Sequence, residues 1–236
     1  MEELSASGRL SGPEDDITRF GALVATDHWH LYQSAVKRLL DVVMALLLLA
    51  ALLPVLGVVA MLVGLSSSGP ILFKQRRLGR GGQEFWFYKF RTMVDGNDPA
   101  DHRAYTHALI RGQAQPVRGA FKLADDPRVT PLGAFLRRYS IDEFPQLINV
   151  LLGHMSIVGP RPPLPYEAEL YGPLEWQRLA VTPGLTGLWQ VSGRSRLTFE
   201  EMIELDLEYI DRWSLWLDVL IIIRTPLAML AGDGAR

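Results

Sequence analysis

The sequence contains no cysteine. This absence excludes disulfide bonds, thiolate zinc sites and a cysteine nucleophile. The sequence also lacks a Walker phosphate-binding loop, a His-Glu-x-x-His metal motif and a Gly-x-Ser-x-Gly nucleophile motif. Its five histidines have no paired spacing that would indicate a metal site, so we assign them no role. The cellular compartment must therefore be inferred from membrane topology.

A strong excess of charge of one sign is also absent. The chain has 24 basic and 26 acidic side chains, a net charge of −2, so no general basic field indicates a nucleic-acid partner. The charge is uneven, because residues 1–36 hold six acids and two bases and the rest of the chain is mildly basic. Apolar residues make up 48% of the chain and the mean hydropathy is +0.11, so we expect part of the apolar surface to contact lipid.

The apolar pattern predicts an α+β fold that is mainly helical, with a membrane helix, a small β-hairpin and amphipathic helices at the membrane interface. Residues 1–36 have little apolar periodicity and predict a flexible leader that does not resemble a signal peptide. Residues 37–69 predict the membrane helix, residues 70–230 a cytosolic or interfacial domain, and residues 231–236 a tail.

The run Val42–Leu65 carries no charge over 24 residues. As a straight helix it would be about 36 Å long, enough to cross a bilayer core of about 30 Å. Pro54 lies in its middle, where it removes a helical hydrogen bond. Both flanks are basic, with Lys37 and Arg38 before the run and four bases within residues 74–80 after it, and positive flanks favour the cytoplasm. We therefore favour a re-entrant helix with a break at the proline. The alternative is a single span, because spanning helices tolerate proline.

The segment after the membrane helix predicts a hairpin. Residues 71–73 and 84–90 are aromatic and β-prone on either side of Gly79-Arg80-Gly81-Gly82. Six bases and one acid lie within residues 74–93. These bases indicate either attraction to anionic lipid head groups or an anionic substrate site beside the membrane.

The remaining segments carry turn, capping and helix signals. Residues 95–128 are rich in Asp, Gly, Pro and Gln and predict a mobile or partly helical excursion whose length suggests a lid. The proline-rich stretch 159–165 is incompatible with a helix or a central strand. Helices are predicted at 132–138, at 142–152, at 167–180 and, after a capping box at Thr198, to about residue 212, and the apolar segment 213–230 suits the interface plane.

The adjacent carboxylates Asp142 and Glu143 are the first candidates for chemistry. Arg137 and Arg138 precede them, and a carboxylate kept among cations stays ionised and nucleophilic. The alternative is structural, because the pattern from Ser140 to Glu143 is a capping box and acids are ordinary in a first helical turn. With either interpretation Asp142 lies at a helix N-terminus, where backbone N–H groups favour a phosphate.

Several further charged residues could bind an anion. Arg161 lies in a stiff Gly-Pro-Arg-Pro bend and is either a phosphate clamp or part of a packing corner. Arg194 and Arg196 could form a second clamp or a solvated loop, and Asp206 could be a ligand or a surface charge. A Mg²⁺ ion stays open, since it uses one or two carboxylates plus substrate phosphates and leaves almost no sequence signature.

A series of motifs follows in order along residues 37–230. The motifs are Lys37-Arg38-Leu39-Leu40-Asp41, Tyr88-Lys89-Phe90-Arg91-Thr92-Met93, Asp126-Pro127-Arg128-Val129-Thr130, Ser140-Ile-Asp-Glu-Phe-Pro-Gln-Leu147, Ser156-Ile-Val-Gly-Pro-Arg-Pro-Pro163, Pro183-Gly-Leu-Thr-Gly-Leu-Trp-Gln-Val-Ser-Gly-Arg194 and Leu205-Asp-Leu-Glu-Tyr-Ile210. In this order they resemble the bacterial sugar transferase family, the monotopic phosphoglycosyl transferases.

The resemblance implies transfer of a sugar 1-phosphate from a UDP-sugar to polyprenyl phosphate, with release of UMP and with Mg²⁺ as cofactor. It implies that Asp142 attacks the β-phosphate, forms a covalent aspartyl phospho-sugar and binds the metal, and that Glu143 supports it. Residues 70–230 would then be the catalytic domain. The implied substrate-binding and site-support residues are Lys89, Arg137, Arg161, Arg194 and Asp206.

The resemblance also implies a location at the cytoplasmic face of the bacterial inner membrane. There the reaction would begin the synthesis of a surface glycan such as an exopolysaccharide, a capsule or an O-antigen. Relatives often have Ser-Pro at the membrane break, whereas Leu53 precedes Pro54 here. Larger members carry an N-terminal membrane bundle and an extra domain, neither of which fits into 36 residues, so we expect a short form.

Two other interpretations of the residues remain open. One is a non-catalytic membrane adaptor that binds anionic lipid through the bases of residues 74–91. The other is a hydrolase in which water replaces the lipid acceptor. The motif spacing specifies neither the sugar nor the oligomeric state.

Overall fold

The computed structural model describes residues 35–94, 100–117, 119–121 and 128–230, with the backbone alone described at Asp101. The predicted leader up to residue 34, the predicted tail 231–236 and the Asp125–Pro127 part of the excursion lie outside the described residues.

The described residues form a mainly helical α+β fold, as predicted. The strands are β1 (Leu72–Leu78), β2 (Glu84–Phe90), β3 (Ser156–Val158) and β4 (Gly184–Thr186). Short 3₁₀ turns cover Arg80–Gly82, Ile141–Glu143, Gln177–Ala180 and Arg194–Arg196. The α-helices are α1 (Ala35–Ser66), α2 (Ala100–Ile110), α3 (Pro131–Arg138), α4 (Gln146–Leu152), α5 (Pro165–Ala168), α6 (Pro173–Trp176), α7 (Leu188–Ser192), α8 (Phe199–Asp211) and α9 (Leu215–Leu230).

The first two strands form the predicted hairpin. β1 and β2 pair antiparallel along their whole lengths. The turn between them passes through Gly81, whose φ of 66° is readily adopted by glycine. Phe85 and Phe87 of β2 enter the main hydrophobic core, so the hairpin is fixed to the rest of the domain.

The sequence pattern does not predict the second strand pair. β3 and β4 run parallel, with Ser156 opposite Gly184 and Val158 opposite Thr186. Each strand has three residues, too few for a hydrophobic alternation to be visible. A Cβ on Gly184 would lie 2.1 Å from the backbone nitrogen of Gly159, so only glycine permits this close approach.

The single helix predicted over 167–180 is wrong. The structure contains two short helices, α5 and α6, followed by the turn Gln177–Ala180. Pro165 lies in the first turn of α5 and Pro173 in the first turn of α6. Proline is favoured at the start of a helix and cannot continue one, so the chain begins a new helix at each of these prolines.

Other local predictions are confirmed. The proline-rich stretch 159–165 forms no helix or strand up to residue 164, while Pro165 begins α5. The helix α2 makes the described part of the excursion partly helical. The capping box at the start of α8 forms. Thr198 Oγ1 accepts the Glu201 backbone N–H at 3.2 Å, and the Glu201 carboxylate accepts the Thr198 N–H at 2.7 Å.

Within the described residues, α1 is the helix that is long and apolar enough to cross a membrane. It has 32 residues and stays helical through Pro54. The predicted loss of helical structure at Pro54 is therefore wrong. Proline removes one backbone donor, and the helix continues on both sides of it. The re-entrant path of this helix stays a prediction.

The N-terminal end of α1 is bonded to the folded domain. The Lys37 ammonium lies 2.6 Å from the carboxylate of Asp218 in α9, and both side chains are buried. The Asp41 carboxylate accepts hydrogen bonds from Ser156 Oγ at 3.0 Å and from the backbone N–H of Ile157 at 2.9 Å. These bonds fix the start of α1 against β3 and α9.

The C-terminal end of α1 is bonded to the same domain. Arg91, directly after β2, donates hydrogen bonds to the backbone oxygens of Val63, Ser67 and Pro70. Val63 also packs with Phe90 in a second hydrophobic cluster. Both ends of α1 therefore contact one folded unit, while its middle exposes many leucine and valine side chains.

The last helix, α9, has one buried face and one exposed apolar face. Asp218 and Ile221 are buried against the domain. Trp216, Ile223 and Leu227 are between 61% and 68% exposed. An exposed apolar face with a tryptophan near its start suits a bilayer interface.

Candidate active site

The adjacent carboxylates Asp142 and Glu143, which we call the dyad, lie in a 3₁₀ turn between α3 and α4. The capping-box alternative is wrong, because Ser140 has a left-handed backbone with φ of 54° and its side chain caps no helix. The α-helix begins at Gln146 rather than at Asp142, with Pro145 as its N-cap. Pro145 lacks the N–H that an α-helix starting earlier would need. The dyad is thus held in a tight turn directly before a helix.

The dyad borders a cavity of about 940 Å³, which is at the large end of the range for ligand pockets. Its walls come from the hairpin, α2, α3, the dyad turn, the proline-rich bend and the region around α7. The cavity brings together most of the site residues predicted from the sequence. Those that line it are Lys89, Arg137, Asp142, Glu143, Arg161 and Arg194.

Glu143 is held by two cations. Both terminal nitrogens of Arg161 donate to Glu143 Oε1 at 3.2 Å, and the Lys89 ammonium lies 3.8 Å from the same oxygen. Burial raises the pKa of Glu143, but the charges of Arg161 and Lys89 outweigh burial and lower that pKa to about 2. Glu143 is therefore an anion near neutral pH, and its charge is paired with these two cations.

Asp142 is the less engaged member of the dyad. It lines the cavity although the residue is only 4% exposed, and no hydrogen bond joins its carboxylate to a side chain of the described residues. Burial raises the pKa of Asp142, Lys89 opposes that shift, and the charge of Glu143 adds to it. Two adjacent carboxylates thus ionise differently, which is the pattern of a pair with separate chemical roles.

Lys89 faces the dyad from the end of β2. Its ammonium lies 5.5 Å from the centre of the Phe87 ring. Burial lowers the pKa of Lys89 to about 8, and the charges of Glu143 and Asp142 limit the shift. The Lys89 side chain is therefore mostly protonated at pH 7 and loses its proton at slightly higher pH.

Arg137 and Arg194 add positive charge from two other elements. Arg137 reaches the cavity from the last turn of α3. Arg194 donates to Ser140 Oγ at 3.2 Å and to the backbone oxygen of Ala228 in α9 at 2.9 Å. Ser140 and Arg194 are also the non-glycine residues with positive φ among the described residues. Such backbone strain is common at functional sites and here flanks the dyad.

Asp206 lies behind the cavity rather than in its lining. The residue is 1% exposed, and its carboxylate pairs with Arg178. Arg178 also donates to the backbone oxygen of Arg161 at 3.2 Å and to the Tyr171 hydroxyl at 3.1 Å. Burial raises the pKa of Asp206 to about 6, and Arg178 limits that shift. Asp206 therefore supports Arg161 through Arg178.

Sequence reasoning missed two arginines of this site. Arg77 is buried, lines the cavity and donates to the backbone oxygen of Pro162 at 2.7 Å. The register of the hairpin could have identified Arg77, because this residue is opposite Phe85, a core residue. Arg178 lay inside a segment predicted as one helix, and nothing in the local sequence distinguished it.

The dyad alone offers few ligands for a metal. The described residues contain no group of three or more His, Asp or Glu side chains that could hold an ion. Glu143 is engaged by Arg161 and Lys89, which leaves Asp142 as the available carboxylate. One carboxylate completed by substrate phosphates fits the way proteins bind Mg²⁺, so the residues fit this ion together with a diphosphate substrate.

Comparison with known proteins finds one matching family. The family model described as Bacterial sugar transferase matches residues 32–232, which include every residue of the dyad and of the cavity lining. The chain belongs to the bacterial sugar transferase family. The resemblance found in the sequence motifs is thereby confirmed.

Three relatives illustrate the similarity. A galactosyl transferase, CpsE of Streptococcus agalactiae, is 43% identical over 85% of this chain and 43% of its own length. The exopolysaccharide production protein ExoY of Sinorhizobium fredii is 42% identical over 84% of this chain and 87% of its own length. A UDP-glucose:undecaprenyl-phosphate glucose-1-phosphate transferase of Xanthomonas campestris is 41% identical over 84% of this chain and 40% of its own length. The chain thus spans less than half of two of these relatives and most of the ExoY protein.

Proposed function

We propose that this chain transfers a sugar 1-phosphate from a UDP-sugar to polyprenyl phosphate and releases UMP. The observation that carries the proposal is Asp142, a buried carboxylate that faces a cation-lined cavity in a member of the bacterial sugar transferase family. Its neighbour Glu143 is already engaged by Arg161 and Lys89. The product, a polyprenyl-diphospho-sugar, would be the first membrane-bound intermediate of a surface polysaccharide.

The reaction proceeds in two displacements at one phosphorus atom. In the first, an oxygen of the Asp142 carboxylate forms a bond to the β-phosphorus of the UDP-sugar. The bond from that phosphorus to the oxygen bridging the two phosphates breaks, and UMP leaves with the electron pair. In the second, a phosphate oxygen of polyprenyl phosphate attacks the same phosphorus. The bond to Asp142 then breaks, which regenerates the carboxylate and releases the lipid product.

The surrounding residues favour both displacements. Asp142 is largely withdrawn from water, so little solvent must be removed before it attacks. Glu143 keeps Lys89 and Arg161 beside the reacting phosphate. Together with Arg194, these cations stabilise the negative charge that develops on the phosphates and on the leaving UMP.

A Mg²⁺ ion is the cofactor that we propose. When bound, it would neutralise the diphosphate and stabilise the leaving UMP. Asp142 is the residue that would hold it, because the charge of Glu143 is already balanced by Arg161 and Lys89.

We further propose that α1 enters and leaves the membrane on the cytoplasmic side. Lys37 near one end of α1 and Val63 near the other end both contact the same folded domain. A helix whose ends lay on opposite sides of a bilayer could not make both contacts. The exposed middle of α1 and the exposed apolar face of α9 would then contact lipid, and the cavity would lie at the level of the acceptor phosphate.

The first test is UMP release by the purified protein in detergent with Mg²⁺ and polyprenyl phosphate. The donors are UDP-glucose, UDP-galactose and UDP-N-acetylglucosamine. We expect UMP from at least one donor and a loss of about 10⁴-fold or more in Asp142→Asn, the scale seen when a catalytic group is removed. After incubation with the UDP-sugar alone, the intact mass of the wild-type protein should increase by one sugar phosphate.

The matched control is Asp211→Asn, the same substitution at an exposed carboxylate at the end of α8. This variant should keep the wild-type rate. Undiminished UMP release in Asp142→Asn would contradict the assignment of the nucleophile. An active wild type without the mass increase would indicate direct transfer between donor and acceptor. Release of sugar phosphate without polyprenyl phosphate would identify a hydrolase.

A further inference from the structure

Three residues at one wall of the cavity each have a buried polar atom without a hydrogen-bond partner among the described residues. These atoms are Trp189 Nε1, Gln190 Oε1 and Ser195 Oγ. All three residues line the cavity, and Gln190 is only 7% exposed. Buried polar atoms are nearly always hydrogen-bonded, so three unpaired atoms on one short stretch of chain require an explanation.

The three residues belong to residues 187–196, which we call the 187–196 segment. At its start, a Cβ on Gly187 would lie 2.5 Å from the backbone oxygen of Gly159, so the segment packs tightly on the proline-rich bend. Near its end, Arg194 donates to Ser140 Oγ at 3.2 Å, directly before the dyad turn. The segment is therefore fixed to the proline-rich bend at its start and beside the dyad turn near its end.

The chemistry of the three atoms is complementary. The backbone oxygen of Leu185 accepts from Gln190 Nε2 at 3.4 Å, which leaves Gln190 Oε1 as the open acceptor. Trp189 Nε1 can only donate, and the Ser195 hydroxyl can donate and accept. A donor, an acceptor and a hydroxyl in one wall match the neighbouring hydroxyl groups of a sugar ring, each of which both donates and accepts.

We infer that Trp189, Gln190 and Ser195 bind hydroxyl groups of the donor sugar. The inference rests on the proposed function. In that reaction the β-phosphate must contact Asp142, and the sugar is attached directly to this phosphate. The uracil is separated from it by the α-phosphate and the ribose. A segment fixed beside the dyad therefore meets the sugar.

The unpaired atoms give this inference a distinctive signature. Deleting a buried polar atom that has no partner removes a desolvation cost, so the protein without ligand should keep or gain thermal stability. If the same atom bonds a sugar hydroxyl, its deletion should weaken use of the donor. A purely structural role predicts the opposite, namely lower stability with unchanged selection among donors.

The experiment uses Trp189→Phe and Ser195→Ala in the full chain, because each removes one of these atoms and keeps most of the side-chain shape. Ser192→Ala is the matched control, since Ser192 lies in the same segment, is exposed and donates its hydroxyl to the backbone oxygen of Leu188 at 2.8 Å. The measurements are the unfolding midpoint without ligand, kcat/KM for UDP-glucose, UDP-galactose and UDP-N-acetylglucosamine, and the inhibition constant of UMP.

For the preferred donor we expect kcat/KM to fall about threefold to tenfold in Trp189→Phe and in Ser195→Ala, the loss of one hydrogen bond. The kcat/KM of the preferred donor divided by that of a UDP-sugar that differs at one position of the ring should fall by the same factor. UMP, which has no sugar, should inhibit all variants equally. The unfolding midpoints should not fall, and Ser192→Ala should match the wild type in every measurement.

Three results would overturn the inference. If the substitutions weakened inhibition by UMP by the same factor as they lower kcat/KM, these atoms would bind the uridine instead of the sugar. If the wild type is active, and both variants either keep the wild-type ratios of kcat/KM among donors or show only a lower unfolding midpoint, the atoms are structural. A wild type that releases no UMP from any donor would overturn the proposed function, and the inference with it.

Discussion

Asp142 and Glu143 are neighbours in the chain and yet ionise over different pH ranges. Two adjacent buried carboxylates repel each other, so their surroundings decide which one keeps its proton. Arg161 and Lys89 both lie on Glu143, and the pKa of Glu143 is about 2. The pKa of Asp142 is raised by burial. One carboxylate thus organises cations, and the other is left open toward the cavity.

Lys89 should set the alkaline side of the pH dependence. In the proposed reaction Asp142 must lose its proton to attack, so kcat/KM for the UDP-sugar should rise with pH through a pKa above that of an ordinary aspartate. Because the pKa of Lys89 is about 8, its charge and with it kcat/KM should fall above about pH 8. In Lys89→Arg the charge persists, and the alkaline fall should move to higher pH. Lys89→Met should lower kcat/KM about 100-fold near neutral pH.

The control is Lys74→Arg, the same substitution at an exposed lysine of β1. Its pH profile should coincide with that of the wild type. An alkaline fall that stays at the same pH in Lys89→Arg would mean that another group titrates there.

Among single residues, the sequence predicted those whose role is indicated by their neighbours in the chain. The dyad follows two arginines, and Arg161 is held by prolines, so both were found. Arg178 was missed because its role depends on Asp206, Tyr171 and Arg161, which are distant in sequence and meet only in the fold. No local pattern encodes such a contact.

Among the elements, the short β3–β4 pair determines where the proline-rich bend lies. The backbone N–H of Gly159 donates to Thr186 at 2.9 Å, and the N–H of Gly184 donates to Pro160 at 2.8 Å. The bend leads directly to Arg161, which holds Glu143. A pair of three-residue strands thus connects the core to the dyad.

Gly184→Ala should disturb this connection. Its Cβ would lie 2.1 Å from the nitrogen and 2.6 Å from the oxygen of Gly159, both backbone atoms that cannot move independently of the bend. We expect a loss of about 1–3 kcal/mol in the free energy of unfolding and a lower kcat, as for overpacked cores. Thermal unfolding and UMP release measure the two effects.

Gly57→Ala serves as the comparison, because a Cβ at Gly57 meets no atom within 4 Å and the residue lies in α1. Alanine favours a helix, so this variant should be neutral or slightly more stable. Wild-type stability and activity in Gly184→Ala would show that the strand pair can separate without moving the bend.

The elements that the sequence predicted well carry local signals. The hairpin has its glycine turn, α3 begins at Pro131, and α8 begins at the Thr198 capping box. Two predictions about prolines were wrong. At Pro54 a break was predicted, but the flanking residues continue the helix on both sides. Over 167–180 one helix was predicted although Pro173 lies within it, and the structure begins a new helix at that proline.

In the whole molecule, α1 is attached twice. Lys37 and Asp41 fix its start, and Arg91 fixes its end. The proposed re-entrant path predicts that both ends face the cytoplasm. Since the chain has no cysteine, single-cysteine variants can report each position without background labelling.

We expect Val36→Cys and Ser68→Cys to react with a membrane-impermeant maleimide in inverted membrane vesicles and to stay unlabelled in intact spheroplasts. Both residues are exposed in the protein, at the two ends of α1. Leu53→Cys, also exposed in the protein, should be shielded by lipid in both preparations. Labelling of one end in spheroplasts would mean that α1 spans the membrane.

On the proposed re-entrant path, the double attachment of α1 would also fix the height of the dyad above the bilayer. A domain on a flexible tether would leave the surface and return to it, and would meet its acceptor at a rate set by volume concentration. With the proposed path, the cavity would stay in the plane where the acceptor phosphates diffuse. The quantity that governs the proposed second displacement would then be the number of polyprenyl phosphate molecules per unit of membrane area. Diluting that lipid with inert phospholipid should slow the reaction even when the total amount in the sample is unchanged.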